Sequence, residues 1–266
     1  MCTLAVYVRC TSALPLLVAA NRDEFLDRPT ADPQVLRVAP WVFGGLDLSA
    51  GGTWFGVNGA GMVVGLLNRR RASGPDPGLL SRGLLALAML QEPSVDAACR
   101  ALKTTDGAAY NAFNLLVADR SHAVVGTNRG GDIQIAALEP GVHLLTNLEL
   151  NDPTCPRIAK SSQRFRALPL TDASDPAELL PMLRTILADH STALDPRAQT
   201  IDNLCVHLAG YGTRSSSVVA GGNDGRLRFW HADGPPCRTP YRELDLPAFD
   251  ASADGTTRLD KVGTRV

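Results

Sequence analysis

Cys2 is the residue best placed to do chemistry, because removal of Met1 exposes it as the terminal residue. A terminal cysteine carries a soft nucleophile together with its own base. The α-amino group has a pKa near 7.7 to 8, so roughly a quarter of it is neutral at cytoplasmic pH. It relays the thiol proton without a histidine, as in other nucleophiles activated by a terminal amine. The polar run Asn21-Arg22-Asp23-Glu24 follows an apolar stretch from Leu14 to Ala20. A hairpin turning near Thr11 and Ser12 pairs positions that sum to about 23, which predicts Cys2 opposite Asn21, with Cβ atoms about 5 Å apart. Side chains alternate along a strand, so Asn21 and Asp23 share one face and Arg22 and Glu24 the other. Spacing therefore selects Asn21 and Asp23 as the partners of Cys2. An aspartate there orients the amine, and an arginine favours the thiolate. The competing reading makes Cys2 a small buried hydrophobe at a strand start.

Other residues carry weaker signals. Gly51-Gly52-Thr53-Trp54 reads equally as a pocket wall bearing Trp54 and as a turn feeding a strand. His122, His143, His190, His207 and His231 show no metal-ligand spacing. His207 stands near Arg214 in sequence and reads as a pocket residue or as a hydrogen-bonded strand histidine. Cys2, Cys10, Cys99, Cys155, Cys205 and Cys237 form no CxxC pair, so no metal site is expected. Their scatter reads as free thiols in a reducing compartment. The glycine pairs near 59–61 and 221–222 lack a phosphate-loop context.

The elements that must position these residues alternate between hairpins and helices. Strands are expected over Cys2 to Val8, Leu14 to Ala20, Val35 to Phe43, Thr53 to Val57, Gly61 to Leu67, Phe113 to Ala118 and His122 to Thr127. Ile133 to Ala137, Val142 to Thr146, Ser216 to Ala220 and Leu227 to His231 complete the set, with Asn58-Gly59 and Asn223-Asp224-Gly225 as turns. Helices are expected over Leu79 to Gln91, from a Ser94 cap to Lys103, over Ile158 to Leu168, and after the Asp175-Pro176 start. Pro181 leaves the beginning of this last helix open. Antiparallel hairpins broken by blocks of helix predict two packed sheets with helices outside, in one domain over 1–266 with a loosely held tail from about 247.

Bulk properties exclude several classes. The chain has 266 residues, 45% of them hydrophobic and 20% charged, with a net charge of -1. No basic stripe argues for nucleic acid, and Arg69-Arg70-Arg71 reads as a solvated loop. No run approaches the roughly 18 apolar residues of a membrane span. The apolar stretch at 4–20 lacks a basic leader segment and contains Arg9 and Pro15, so it does not read as a signal peptide and the chain reads as cytoplasmic.

Motifs then narrow the reading. Met1-Cys2-Thr3, the run Ala20-Asn21-Arg22-Asp23-Glu24-Phe25 with Arg28-Pro29-Thr30, Gly51-Gly52-Thr53-Trp54 and Tyr211-Gly212-Thr213-Arg214-Ser215-Ser216 stand in this order. In order and spacing they closely resemble the NRDE family, also called the transport and Golgi organisation protein 2 family. That family is similar to the N-terminal nucleophile hydrolases, including penicillin V acylase and bile salt hydrolase. The resemblance implies an α+β fold, a four-layer αββα sandwich of two mainly antiparallel sheets between helices. It implies cleavage of linear carbon–nitrogen amide bonds, with Cys2 as nucleophile and Asp23 holding its amine. It further implies Asn147 in the oxyanion hole and Arg214 as the late arginine of the pocket. Asn21, Arg22, Trp54 and Asn68 are expected around the substrate. The related hydrolases keep an arginine three residues before their aspartate, where this chain has Ala20 and instead carries Arg22 beside Asp23.

Two functions compete at this point. One is an N-terminal-cysteine amidohydrolase or acylase acting on a small acyl substrate without a cofactor. The other is a carrier that keeps the fold and binds an acyl chain, acyl-coenzyme A, lipid or haem, in line with the links of animal family members to Golgi organisation, acyl-coenzyme A metabolism and haem trafficking. A partner-binding scaffold is a third, weaker idea.

Overall fold

The computed structural model describes residues 2–69, 74–192, 195 and 200–247. The expected loose tail and Arg70-Arg71 fall outside this range, apart from 247 itself. Strands β1 (Thr3–Val8), β2 (Leu16–Phe25), β3 (Thr30–Val38), β4 (Trp41–Asp47), β5 (Phe55–Asn58) and β6 (Val63–Asn68) come first, followed by helices α1 (Arg82–Met89) and α2 (Val95–Thr104). Strands β7 (Phe113–Ala118), β8 (Ala123–Asn128), β9 (Gln134–Ala137) and β10 (Gly141–Leu145) precede α3 (Pro156–Arg166) and α4 (Pro176–Leu187). The last described elements are β11 (His207–Leu208), β12 (Tyr211–Gly221), β13 (Leu227–Ala232) and β14 (Arg242–Leu244).

The strands form two antiparallel seven-stranded sheets. The first runs β10-β1-β2-β12-β13-β14, with β11 paired to β12; the second is a meander from β3 to β9 in chain order. The central strands β1, β7 and most of β2 and β12 are buried on both faces, as a sheet covered on both sides requires, whereas the edge strands β3, β9 and β14 are partly exposed. Leu4, Val6, Val8, Val63, Leu116 and Val219 face the seam between the sheets. The alternate residues Ala5, Tyr7, Leu17 and Val218 pack on Ile158, Phe165 and Leu183 of α3 and α4. On the other side, Val64, Leu115 and Val117 pack on Leu85, Ala98 and Leu102 of α1 and α2. Three apolar seams separate four layers, so the fold is the expected αββα sandwich.

Helix starts follow their caps. The Ser94 hydroxyl accepts from Ala97 N at 3.2 Å, and the Asp175 carboxylate accepts from Ala177 N at 2.9 Å. Helix α4 runs through Pro181 and forgoes one main-chain bond there. The strand expected over Val35 to Phe43 is two strands, because the turn at Ala39-Pro40 divides it and β3 pairs back on β4. Arg69 is not a solvated loop residue: it donates to Leu148 O at 2.7 Å and ion-pairs with Glu149 at 2.5 Å.

Candidate active site

β2 does not stop at the polar quartet. It continues to Phe25, and Asn21, Arg22 and Asp23 are buried inside the first sheet. The β1–β2 register pairs Thr3 with Asn21 and Val8 with Leu16, and continuing it sets Cys2 opposite Arg22. The predicted pairing of Cys2 with Asn21 is therefore off by one. The second strand begins only after Pro15, which has no N–H for the ladder, and Arg9 N donates to Pro15 O at 2.7 Å to close the loop. A one-residue slip exchanges the faces. Cys2 and Arg22 face the seam between the sheets; Asn21 and Asp23 face the helical layer.

Contacts agree with this assignment. Asn21 Nδ2 donates to Leu187 O and Leu204 O at 2.8 and 2.9 Å, and its Oδ1 accepts from Ser216 Oγ at 2.7 Å. The Asp23 carboxylate lies 2.8 Å from Arg157 Nη1, with both side chains fully buried. It also accepts from Thr213 Oγ1 at 2.7 Å. Arg157 spans further, donating to Thr3 Oγ1 and Ile201 O, each at 2.9 Å. Asp23 thus contacts Cys2 through its backbone: the thiol lies 3.8 Å from Asp23 O, which also accepts from Tyr211 OH at 3.2 Å.

Asn147 comes to Cys2 by the register of the neighbouring strand. β10 pairs Leu145 with Leu4, so two residues on Asn147 faces Cys2. Asn147 Oδ1 accepts from Cys2 N at 3.0 Å, while its Nδ2 donates to Asn68 O. Asn68 contributes this carbonyl from the exposed end of β6. As arranged, the Nδ2 donor expected in an oxyanion hole is already engaged.

A cavity of about 20 Å³ lies between the sheets, bordered by Cys2, Leu4, Arg22, Trp54, Leu67 and Ser217. That volume holds about one water. The Arg22 guanidinium sits 4.0 Å over the Trp54 ring, its Nη2 lies 3.7 Å from Glu24, and its Nη1 is buried without a hydrogen-bond partner among the described residues. Trp54 reaches this place because Gly45 has no Cβ; one there would lie 2.3 Å from the indole. Gly51 adopts a left-handed φ of +71°, which turns the chain at the Gly51-Gly52 pair, and Trp54 borders the cavity. Ser215, which pairs with Arg22, and Ser217 line the same cavity. Ser217 Oγ lies 2.9 Å from His231 Nδ1.

Burial pushes the Cys2 thiol above its ordinary pKa; the charge of Asp23 adds to this, and that of Arg22 opposes it. Burial in turn lowers the pKa of Arg22.

Arg214 stands apart from the cavity wall. It is the extra residue where the β2–β12 register shifts between Thr213 and Ser215, and its guanidinium ion-pairs with Asp233 at 3.2 Å. Spacing did not single out Arg157, Thr213, Ser215 or Ser217. Thr213 and Ser215 lie inside a quoted motif and Ser217 just after it, but Arg157 carries no local signal beyond a buried face shared with Ile158, Ser161 and Phe165.

A family model described as Transport and Golgi organisation 2 matches residues 1–233. The Transport and Golgi organization 2 homolog of Mus musculus is 28% identical over 239 residues, covering 82% of this chain and 86% of that protein. The Homo sapiens homolog is 28% identical over 240 residues, with the same coverage. Among solved structures, a Caenorhabditis elegans N-acylethanolamine-hydrolyzing acid amidase ortholog superposes with a TM-score of 0.57 at 14% identity, covering 93% of this chain and all of that one. A variant of the conjugated bile acid hydrolase from Clostridium perfringens gives 0.53 at 12%, covering 95% and 99%. These structures share the sandwich. With its motifs lying in a buried β2 and β12 and the family model spanning both sheets, the chain belongs to the Transport and Golgi organisation 2 family.

Proposed function

We propose that the chain is an N-terminal-cysteine amidohydrolase acting on the carbon–nitrogen bond of a small acyl amide. The observation that carries this is the placement of Cys2. Its nitrogen is held by Asn147 and its thiol faces a cavity shared with Arg22, Trp54 and Ser217. Once Met1 is removed, the α-amine accepts the thiol proton and Sγ attacks the carbonyl carbon. The C–N bond breaks, the amine departs with that proton, and water releases the acid from the thioester. Asn147 supports the terminal amine through Oδ1, and turning from Asn68 O frees its Nδ2 for the oxyanion. Arg22, whose charge lowers the Cys2 pKa and whose Nη1 has no hydrogen-bond partner among the described residues, takes the role expected of Asp23's missing upstream arginine. Asp23, bound to Arg157, anchors β2 and does not touch substrate, and Arg214 holds the bulge beside Ser215. The likeness in fold to an acid amidase ortholog and a bile acid hydrolase supports the reaction class. A reducing cytoplasmic setting, suggested by six free thiols, keeps Cys2 in its active form.

Two observations favour a carrier instead. The raised thiol pKa suits a protonated Cys2, and the cavity wall is largely apolar, so that a parting of the two sheets beyond its present one-water volume would offer an apolar surface to an acyl chain, an acyl-coenzyme A thioester or haem. The experiment tests acyl amides and acyl thioesters of graded chain length against the parent and Cys2→Ala, after intact mass has established loss of Met1. Turnover by the parent that Cys2→Ala abolishes supports the hydrolase. Retention of Met1, or equal ligand binding by both proteins with no turnover, rejects it in favour of the carrier.

A further inference from the structure

On the helical side of the first sheet, three segments far apart in sequence bring four ligand-type side chains together. His190 follows α4, Cys205 and His207 flank the entry to β11, and Cys237 lies between β13 and β14. One ligand atom from each lies within 4.8 Å of the others. Cys205 Sγ is 3.6 Å from Cys237 Sγ and 3.6 Å from His207 Nε2, and His207 Nε2 is 3.2 Å from Cys237 Sγ. The His190 and His207 rings meet edge to face at 5.1 Å, and His190 Nε2 is buried without a hydrogen-bond partner among the described residues.

These separations are those of a coordination shell. Zinc bound to sulfur at about 2.3 Å and to nitrogen at about 2.0 Å sets tetrahedral S···S and S···N distances of about 3.8 and 3.5 Å. We propose that His190, Cys205, His207 and Cys237 form a structural zinc site. Two thiolates and two imidazoles arranged tetrahedrally select zinc over the oxygen-seeking divalent ions. Four protein ligands leave no open position, so the ion is structural. Binding releases the two thiol protons, and the dipositive ion balances the two thiolates.

The site would pin the segment that supports β2 from behind. Leu204 O, beside Cys205, accepts from Asn21 Nδ2 at 2.9 Å. Val206 N, between the two ligands, donates to Thr213 Oγ1 at 2.9 Å, and that hydroxyl donates to Asp23. The inference stands whether or not Cys2 is catalytic.

The test uses the full chain, purified under reductant, supplied with Zn²⁺ and passed through gel filtration before metal analysis. The expected result is about one zinc per chain, with a lower melting temperature after chelation. In the cobalt-exchanged form, tetrahedral d–d bands and a thiolate-to-cobalt charge-transfer band are expected. Cys205→Ser and Cys237→Ser lose the metal, whereas Cys10→Ser, at an exposed position, keeps it. Protein that retains no zinc, or that retains it equally in both serine variants, overturns the site. A Cys205–Cys237 disulfide persisting under reductant does the same. If a serine variant fails to fold, the parent's cobalt spectrum decides, and absence of the charge-transfer band rejects thiolate ligation.

Discussion

The pair Asp23–Arg157 places two full charges where water is absent, with both side chains at 0% exposure. Such a pair gains little over an apolar replacement of equal volume, yet loss of one partner strands a buried charge at a cost of about 3–5 kcal/mol. Arg157→Met should therefore lower the unfolding free energy by about that amount in urea titrations, and adding Asp23→Leu should recover much of the loss. Equal stability of Arg157→Met and the parent would show that Asp23 is not held as a buried carboxylate. Arg22 acts differently, since it lowers the Cys2 pKa while stacked on Trp54. Arg22→Met should slow alkylation of Cys2 by iodoacetamide at pH 7 by a factor on the order of 10, with the rates converging once the thiol is fully ionised at high pH. An unchanged rate at neutral pH would remove Arg22 from the account of thiol reactivity.

At the scale of elements, the close packing of loop on helix is what fixes the cavity wall. A Cβ on Gly52 would lie 2.1 Å from the Gly83 carbonyl carbon in the α1 start, where Thr53 N donates to Gly83 O at 3.0 Å. Gly52→Ala must push the Trp54 loop away from α1, and should cost about 1–3 kcal/mol as overpacking does. Gly131→Ala meets nothing within 4 Å among the described residues and serves as the control. Equal thermal melting of the two variants would refute the packing argument, and a shift in Trp54 fluorescence confined to Gly52→Ala would support it. The apolar strands and capped helices were readable because alternation and Ser94 or Asp175 act locally. The polar quartet was readable as a site but not as a strand. Its burial depends on partners from elsewhere: Trp54 under Arg22, Arg157 against Asp23, and the Leu187 and Leu204 carbonyls on Asn21. Register was equally hidden, since shifting the turn centre by half a residue exchanges the faces. Asn147 was reached only through the family resemblance, and the cluster at His190 and Cys237 had no local spacing to betray it.

Across the whole molecule, the seam between the sheets changes character along its length. Leu116, Val125 and Phe229 fill one part, whereas Cys2, Arg22, Ser217 and His231 occupy its polar rim. His231 is the group there whose ionisation reports on the integrity of the seam. Burial pushes its pKa down to about 4 from the ordinary 6.5; the charges of Asp32 and Asp233 oppose the shift, and those of Arg242 and Arg214 reinforce it. A folded pKa below the unfolded one means that the unfolded chain binds the extra proton between about pH 6.5 and 4. The contribution of His231 is thus fully present above pH 6.5 and declines as the pH falls through that window. Below about pH 4 it levels off, after a loss of about 3 kcal/mol. Urea unfolding at a series of pH values should show this slope in the parent and lack it in His231→Gln, which keeps a polar group beside Ser217. If His231→Gln retains the full slope between pH 6.5 and 4, the acid sensitivity arises elsewhere, and the rim of the seam is more open to water than its geometry implies.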